Sequence, residues 1–285
     1  MRISTEIGSA ARLIGEEKAV ELVAKAGFDA YDLTMLSMAQ YDWSTERVSQ
    51  TDHPFRGKNY LEFVRNLRHI AEDNGIVCNQ SHAPFPIFCP GIWDYLKRAI
   101  ECTAEAGATL CVIHPDNNKS PAENAKIFNE LLPFAKSCGV RIATENMWGW
   151  DKKADHAIPN ACSTAKNFKE HLEAVNDPYF VACLDIGHAE MRGLGTSAVE
   201  LIHTLGDHLQ ALHIHDNDRW HDSHRLPFTM DIDFSAVVKA LNEIGYKGDF
   251  TLEADQHLTC AESVADGLKE MAQATRRLAN MFEQT

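Results

Sequence analysis

Long apolar runs are missing from this sequence, and none approaches the ~20 residues that a membrane-spanning helix needs. The first residues, Met1 to Ser4, lead directly into a strand-like pattern and lack the features of a signal peptide. The eight cysteines are dispersed and include no CxxC pair, which argues against a disulfide scaffold. We therefore expect a cytoplasmic protein that keeps its cysteines reduced and has no membrane partner.

Positive charge is also scarce, with 27 Lys and Arg against 41 Asp and Glu, which gives a formal net charge of -14 at pH 7. This balance argues against partners that bind through their phosphates, so we expect no nucleic-acid partner. No GxGxxG or GxxxxGKS/T loop follows a predicted strand, which weakens the case for an open nucleotide-binding sheet. The 285 residues, 45% of them hydrophobic, are enough for one large globular domain.

One unit recurs along the chain: a helical segment ends at a glycine, a short apolar strand follows, and a polar residue stands where the strand ends. The clearest predicted helices cover residues 16–26, 60–74, 93–106, 122–138 and 234–244. The predicted strands cover residues 2–7, 28–31, 76–78, 110–113, 140–143, 180–184, 209–212 and 250–252. Strands that alternate with such helices indicate a parallel sheet. Eight such units predict an α/β fold, a (β/α)8 TIM barrel that forms a single domain over residues 1–285.

In a barrel of this kind, the C-terminal ends of the strands meet on one face. Ionisable residues at or just beyond the predicted strand ends would then surround one cavity: His82, His114, Glu145, Asp185, His213, His215 and Glu253. Two segments without a helix or strand pattern, 149–160 and 217–231, are predicted to be long surface loops beside this cavity.

Side chains alternate between the two faces of a strand, which is consistent with one inward cluster of Glu145, Asp185, His215 and Glu253. Three carboxylates that share a site need a counter-charge, and no Lys or Arg stands at the ends of these strands. We therefore predict that this cluster binds one divalent cation. We expect Mn2+ first, with Mg2+, Co2+ or Zn2+ as alternatives, because the set is rich in oxygen and leaves open positions.

Five more ionisable residues near the strand ends have roles that the sequence leaves open. His82 and His114 are each followed closely by a proline, and each either lines the pocket or caps its strand. Asp222 and His224 either bind the substrate or a second metal, or belong to a solvated acidic loop. His213 is either a metal ligand itself or a residue that orients one.

Two further residues are candidates for contact with the substrate. His188 follows Asp185 after a glycine, and we expect it to contact a substrate hydroxyl. Trp148 is one of several aromatic residues near the strand ends, and we expect it to form an apolar wall of the pocket. For His221, which follows Trp220, we expect a position in a solvated loop.

Several short segments, in a fixed order, carry a resemblance to a known family: Ser81-His82-Ala83-Pro84, Ile113-His114-Pro115, Thr144-Glu145-Asn146-Met147, Asp185-Ile186-Gly187-His188 and Leu212-His213-Ile214-His215-Asp216. Through them the chain resembles the xylose isomerase-like TIM-barrel superfamily along nearly its whole length. Within that superfamily it is similar to the sugar phosphate isomerases/epimerases and to the ketose 3-epimerases. The resemblance implies a TIM barrel and a divalent-metal-dependent isomerase or epimerase that acts on a sugar or a sugar phosphate.

In the epimerase branch, a Glu, an Asp, a His and a Glu bind one divalent ion, and the two Glu move protons through an enediolate. The resemblance places these four roles on Glu145, Asp185, His215 and Glu253, with Glu145 and Glu253 as the catalytic pair. It places the substrate-contacting histidine on His188. A small-molecule carbohydrate is therefore the expected partner, and a homo-oligomer is compatible with such a barrel.

Other members of the superfamily suggest alternatives. An endonuclease-IV-like DNA repair enzyme with three metal ions would use a larger set: His82, His114, Glu145, Asp185, His188, one of His213 and His215, Asp222, His224 and Glu253. The net charge of -14 and the lack of basic strings argue against it. An inosose-dehydratase-like lyase would use the same acid–base apparatus to eliminate water. A barrel that only binds a ligand is a further alternative, against which the intact acid–base pair argues.

Overall fold

The computed structural model describes residues 1–42, 44–49 and 51–285. The described residues form twelve strands: β1 (Ile3–Glu6), β2 (Ala30–Thr34), β3 (Tyr41–Asp42), β4 (Arg47–Val48), β5 (Val77–His82), β6 (Leu110–Val112), β7 (Arg141–Glu145), β8 (Trp148–Asp151), β9 (His156–Pro159), β10 (Phe180–Asp185), β11 (Leu209–His213) and β12 (Phe250–Leu252). The same residues form eleven α-helices: α1 (Gly8–Ile14), α2 (Glu16–Ala26), α3 (Tyr60–Asp73), α4 (Trp93–Glu105), α5 (Pro121–Ser137), α6 (Ala165–Val175), α7 (Ile186–Glu190), α8 (Ala198–Leu205), α9 (Phe234–Glu243), α10 (Asp255–Cys260) and α11 (Val264–Gln284). Within this described part of the chain, no helix is both long and apolar enough to cross a membrane.

Eight of the strands form one parallel sheet in the spatial order β11, β10, β7, β6, β5, β2, β1, β12. The two end strands meet just beyond β11, where the backbone N–H of Ile214 donates to the carbonyl of Thr251 at 2.9 Å. The backbone N–H of Glu253 donates to the carbonyl of Ile214, also at 2.9 Å. These two bonds bring the ends of the sheet together into a nearly closed barrel. The predicted (β/α)8 TIM barrel is confirmed.

The helices cover the outside of the barrel and bury one apolar side against it. In α5, Phe128 and Leu131 are buried, and the Ser120 side chain accepts a hydrogen bond from the backbone N–H of Glu123 and so caps the first turn. The glycines that follow the predicted helices have positive φ angles: Gly27, Gly75, Gly107, Gly139 and Gly245. A residue in the left-handed conformation commonly ends a helix, so these positions agree with the predicted repeat.

A small apolar cluster fills the barrel interior: Val112, Ala143, Val181, Cys183 and Ala211. Three of its members stand two residues before Glu145, Asp185 and His213 along their strands. Because side chains two residues apart on a strand share a face, these three ionisable residues also point into the barrel. The inward direction that the alternation predicts for Glu145 and Asp185 is what the structure has, and the cluster forms the floor beneath them.

The prediction that residues 149–160 form an irregular loop is wrong. Strands β8 and β9 pair there as an antiparallel hairpin. The hairpin is stabilised by its tryptophans, because Trp148 and Trp150 pack against a small buried cluster that includes Ala157. The segment 217–231 contains no helix or strand of its own among the described residues, as predicted.

Candidate active site

The C-terminal ends of four strands bring four ionisable residues together. Glu145 ends β7, Asp185 ends β10 and His213 ends β11, while Glu253 follows β12 by one residue. In the sheet register, Glu145 lies beside Cys183, and Asp185 lies beside His213. One ligand-type atom of each of the four residues lies within 4.8 Å of the corresponding atom of every other. We call Glu145, Asp185, His213 and Glu253 the central group.

Charges in the central group are close together and shielded from solvent. The Nδ1 atom of His213 is 3.3 Å from a carboxylate oxygen of Glu145 and 3.4 Å from one of Glu253. Burial by itself raises the pKa of Glu145, but His213 and His114 outweigh burial and hold that pKa well below its ordinary value. Glu145 therefore keeps its negative charge although it is almost completely buried.

Several buried polar atoms of the central group make no hydrogen bond to any described residue: Oδ2 of Asp185 and both ring nitrogens of His213. A buried polar atom without a partner costs roughly 1–3 kcal/mol, unless a group from outside the chain satisfies it. Carboxylate oxygens and imidazole nitrogens are ligand atoms of divalent cations, so the central group fits such a cation. Burial raises the pKa of the adjacent Cys183 to about 12, so this thiol stays neutral.

A second group shares Glu145 with the central group. It consists of His82, His114 and Glu145, and we call its two imidazoles the histidine pair. Their Nε2 atoms are 2.9 Å apart, and Nε2 of His114 is 3.1 Å from Oε2 of Glu145. Nε2 of His82 lies 3.7 Å from the same carboxylate oxygen. Burial lowers the pKa of His114, which favours a neutral ring that can bind a metal or a hydroxyl.

A third group lies on the other side of Asp185. It consists of His188, His215, Asp222 and His224, and we call it the loop group. The Nε2 atom of each imidazole is 3.3 Å from a carboxylate oxygen of Asp222. Nε2 of His215 is also 3.2 Å from Oδ1 of Asp185, so the loop group adjoins the central group. Burial alone raises the pKa of Asp222, but His188 and His224 lower that pKa far below its ordinary value.

Backbone carbonyls hold three of the imidazoles so that their Nε2 atoms face the site. Nδ1 of His82 is 2.9 Å from the carbonyl of the next residue, and Nδ1 of His188 is 2.9 Å from that of Asn146. Nδ1 of His224 is 2.7 Å from the carbonyl of Glu253. Burial lowers the pKa of these three imidazoles, but nearby carboxylates outweigh burial and raise it, which favours the charged ring with an N–H on both nitrogens. Each Nε2 can therefore donate a hydrogen bond, and it offers a lone pair to a metal only when its proton is lost.

The backbone between Asp185 and His188 lies very close to the ring of His215. Asp185 accepts a hydrogen bond from the backbone N–H of His188 at 2.7 Å, which caps the start of α7. A Cβ at Gly187 would lie 1.9 Å from Cε1 of His215. No larger residue fits at position 187 without displacing this ring, so the glycine belongs to the site because the ring of His215 packs on its backbone.

A cavity of about 640 Å³ opens above the three groups. Part of its wall is apolar, and Phe85, Phe88 and Trp148 contribute to it. The ring of Phe85 stacks on that of His114, with ring centroids 4.7 Å apart. The volume lies within the range of small-molecule sites, and an apolar wall beside a few fixed polar groups is their usual composition.

Three charged residues that line the cavity were not predicted from the sequence: Glu6, Arg12 and Asp255. Glu6 is the last residue of β1, but the predicted strand continues to residue 7, so the rule that selects ionisable residues at or just beyond the predicted strand ends passes over it. Arg12 lies in α1, and Asp255 begins α10. Their place at the cavity depends on how these short helices fold over the barrel mouth, which no sequence pattern indicates.

The structure gathers the predicted site residues at one end of the barrel, where the two histidines that follow Ala211 both lie near Asp185 but belong to different groups. His213 lies with Glu145, Asp185 and Glu253, whereas the predicted ligand His215 lies in the loop group. The other predicted residues all line the cavity: His82, His114, His188, Asp222, His224 and Trp148. The side chain of His221 is exposed, as expected for a solvated loop position.

A family model described as Xylose isomerase-like TIM barrel matches residues 20–281 of the chain. The match covers most of the sequence and includes the central group, the histidine pair and the loop group. The chain therefore belongs to the xylose isomerase-like TIM barrel family.

Individual relatives are more distant. The chain is 28% identical over 303 aligned positions to the uncharacterized protein y4fM of Sinorhizobium fredii, a match that covers 93% of each chain. It is 23% identical over 250 residues to the L-ribulose 3-epimerase of Methylomonas sp., which covers 84% of this chain and 78% of that one. A solved structure, that of a D-tagatose 3-epimerase-like protein, superposes with a TM-score of 0.74 at 18% identity and covers 100% of this chain and 99% of its own. At that identity, the structural likeness shows a shared fold.

Proposed function

We propose that this protein is a divalent-metal-dependent isomerase or epimerase of a ketose sugar. The observation that carries the proposal is the central group, in which two glutamates that line the cavity lie beside one buried histidine. Buried ligand-type atoms without partners stand next to them. The names of two relatives, an L-ribulose 3-epimerase and a D-tagatose 3-epimerase-like protein, support a sugar as the substrate.

We assign the cation to Glu145, Asp185, His213 and Glu253, so that His213 replaces the His215 of the sequence prediction. Three carboxylates and one imidazole form a mostly oxygen ligand set, which is why we expect Mn2+ before Zn2+. A divalent cation bound there would polarise a carbonyl oxygen of the substrate and stabilise the negative charge that develops on it. His215, at 3.2 Å from Asp185, would orient that carboxylate.

Glu145 and Glu253 are the proposed acid–base pair, and both line the cavity. One of them, as a carboxylate, would remove the proton from a carbon next to the carbonyl and leave an enediolate. The other, as a carboxylic acid, would return a proton to the opposite face of the same carbon, which inverts it. Return of the proton to the neighbouring carbon would instead move the carbonyl and give isomerisation.

Other residues of the cavity would hold the sugar while protons move. His188 turns its Nδ1 to the carbonyl of Asn146 and its Nε2 to Asp222 at the cavity, so Nε2–H is placed to donate to a substrate hydroxyl. The ring of Trp148 lies 6.4 Å from that of His188 and offers an apolar face to the C–H groups of a sugar. A polar contact and an apolar ring next to each other would together fix the orientation of the substrate.

Exchange with solvent deuterium tests the proposal. The purified protein is incubated in D2O and Mn2+ with D-fructose, D-tagatose or L-ribulose, and proton NMR follows the carbons next to the carbonyl. We expect deuterium to enter one of these carbons, and Glu145→Gln and Glu253→Gln to abolish the exchange. Glu130→Gln, on the exposed side of α5, is the matched control and should behave like the wild type.

Failure of exchange with every sugar of the panel, with cation bound and the protein folded, would contradict the proposal. A dehydrated product in the same spectra would indicate the lyase alternative, because elimination of water begins with the same proton abstraction.

The histidine pair and the loop group favour a second candidate function, hydrolysis of DNA at abasic sites by a centre with three cations. Together with the central group they supply the larger ligand set that the resemblance to endonuclease-IV-like enzymes implies, with His213 as its member from β11. The net charge of -14 opposes this candidate, because DNA binding depends on neutralising phosphates. Elemental analysis separates the two: about one cation per chain favours the isomerase, and about three favour the nuclease. Cleavage of an abasic duplex without any sugar exchange would replace the proposal.

A further inference from the structure

One ionisable group at the cavity has no part in the proposed proton transfer. Glu6 ends β1, is 5% exposed, and lines the cavity at the side of β1 and β2. Its Oε2 accepts a hydrogen bond from the backbone N–H of Ser9 at 3.0 Å, and the Ser9 hydroxyl contacts Oε1. The Thr34 hydroxyl lies 3.4 Å from Oε2. We call Glu6, Ser9 and Thr34 the β1 corner.

Space in the β1 corner is tight. A Cβ at Gly8 would lie 3.0 Å from two carbons of Thr34 and 3.2 Å from Oε2 of Glu6. The glycine is therefore what allows α1 to start so close to β2, and its neighbours hold the Glu6 carboxyl in one orientation. A polar group that is already fixed loses little conformational entropy when it binds a ligand, which is the property of a specificity group.

The groups that act most strongly on Glu6 are not cations. Burial raises the pKa of its carboxyl, the Ser9 contacts lower it, and the nearby Glu253 and Asp255 raise it further. Arg12 is the one Lys or Arg among the described residues that line the cavity. Its Nη2 lies 3.6 Å from Oδ2 of Asp255, so it neutralises that carboxylate. The β1 corner thus places a carboxyl in acidic surroundings.

Capping of α1 explains part of this arrangement. The N-cap residue of α1, Ile7, makes no side-chain cap, and Oε2 of Glu6 satisfies one of the free N–H groups of the first turn. A short neutral side chain such as serine would cap the helix without burying a carboxyl. Capping of α1 therefore does not explain why a carboxyl, rather than a short neutral side chain, stands at the cavity.

We propose that the β1 corner binds hydroxyl groups of the substrate, and that Glu6 thereby selects an uncharged sugar over its phosphate ester. The inference rests on the proposed function and names the substrate class of that same site. A carboxylate accepts hydrogen bonds from two neighbouring hydroxyls, and a protonated carboxyl can also donate one. A phosphate in the β1 corner would instead meet the Glu6 carboxyl, and the one Arg among the described cavity residues is already paired with Asp255, so no positive side chain offsets the repulsion.

Kinetic constants of Glu6 variants test the inference, with D-fructose, D-tagatose and L-ribulose as uncharged substrates and D-fructose 6-phosphate as the phosphate ester. We expect Glu6→Ala to raise KM for the best uncharged sugar roughly 10- to 100-fold, because hydrogen bonds to a carboxyl are lost, while kcat changes little. Glu6→Gln keeps hydrogen-bonding capacity without charge. It should recover most of the KM for the uncharged sugar and raise kcat/KM for the phosphate ester.

Glu130→Ala, the same change on the exposed side of α5, is the matched control and should leave KM unchanged. A lower Tm in Glu6→Ala with an unchanged KM would show that Glu6 only caps α1, and would overturn the inference. A wild-type preference for the phosphate ester would overturn it as well. Deuterium exchange by the wild type combined with an unchanged KM in Glu6→Ala contradicts this inference alone, whereas no exchange with any sugar contradicts the proposed function too.

Discussion

At the N-terminal end of the barrel, polar side chains satisfy one another. The guanidinium of Arg2 donates to a carboxylate oxygen of Asp249 at 2.9 Å. The Ser4 hydroxyl donates to the Asn79 side-chain carbonyl at 2.7 Å, and the Asn79 amide donates to the Thr251 hydroxyl at 3.0 Å. These contacts link β1, β5 and β12 directly, so they hold the strands in register without help from a ligand.

At the C-terminal end, buried polar atoms are gathered without such partners. In the part of the chain that the structure describes, Nε2 of His215, both ring nitrogens of His213, Oδ2 of Asp185 and Oδ1 of Asp222 make no hydrogen bond. The contrast indicates that the two ends have different roles. The end with hydrogen-bonded side chains stabilises the fold, and the end with unpaired polar atoms is suited to bind a cation or a substrate.

The largest effect that the comparison predicts is on catalysis. Glu145→Gln, at the C-terminal end of β7, removes a charge on which both the proposed cation site and the proposed proton transfer depend. We expect kcat for epimerisation to fall by roughly 10²–10⁴-fold. Arg141→Gln, at the N-terminal end of the same strand, loses its contact with Gln210 and should leave kcat nearly unchanged. Steady-state kinetics at saturating Mn2+ measures kcat of both variants. Equal losses of kcat would contradict the proposed difference between the two ends of the barrel.

The next largest effect is expected on thermal stability, when the cation is removed. A ligand that binds only the folded state stabilises it by about 2.7 kcal/mol when its concentration is 100 times Kd. For a chain of this size, we therefore expect Mn2+ to raise the Tm of chelator-treated protein by several degrees, roughly 5 °C. Asp185→Asn should show no such rise in differential scanning calorimetry. An equal rise in that variant would place the stabilising cation outside the central group.

Gly187→Ala tests the close packing between Gly187 and His215 at the C-terminal end. The added methyl group would lie 1.9 Å from the ring of His215, and overpacking of this kind costs typically 1–3 kcal/mol. Denaturant unfolding measures the loss. In a His215→Ala background the same substitution should cost much less, because the ring that it displaces is gone. A cost that is equal in both backgrounds would show that the glycine serves another purpose.

The smallest expected effect concerns a buried histidine that is paired. His171 has Nε2 at 3.2 Å from the Asn124 amide and Nδ1 at 2.8 Å from the carbonyl of Asn167, in contrast to His213. Burial lowers the pKa of His171 below its ordinary value of 6.5, so the unfolded chain binds a proton more readily than the folded one. The free energy of unfolding should therefore fall as pH falls through and below 6.5, and less so in His171→Gln. Urea unfolding from pH 7.5 to 5.5 measures it, and identical pH dependence in both proteins would contradict the assignment.

How far the sequence predicts the site depends on the geometry of each strand. The alternation along β7 and β10 predicts that Glu145 and Asp185 point inward, because a barrel strand has only one inner face. Along β11 the same rule cannot choose between His213 and His215, because both stand on that face. Our proposed assignment to His213 rests on where β11 ends: it ends at His213, after which the chain pairs with β12 only at Ile214.

Other features depend on contacts between segments that are distant in the sequence. The β8–β9 hairpin forms because Trp148 and Trp150 find a buried cluster that includes Met191, and neither strand is long enough to show a clear period. Asp255 reaches the cavity because α10 turns over the barrel mouth. In contrast, the repeat of helix, glycine and strand is local, which is why the barrel itself could be predicted.

Anomalous diffraction from crystals grown with Mn2+ tests most directly the claim that the unpaired atoms at the C-terminal end hold a cation. We predict the strongest anomalous peak within coordination distance of Glu145, Asp185, His213 and Glu253. Crystals of Asp185→Asn should lose that peak. A strongest peak that has His215 rather than His213 as its ligand, or no peak at the barrel mouth in crystals of the active protein, would contradict the account.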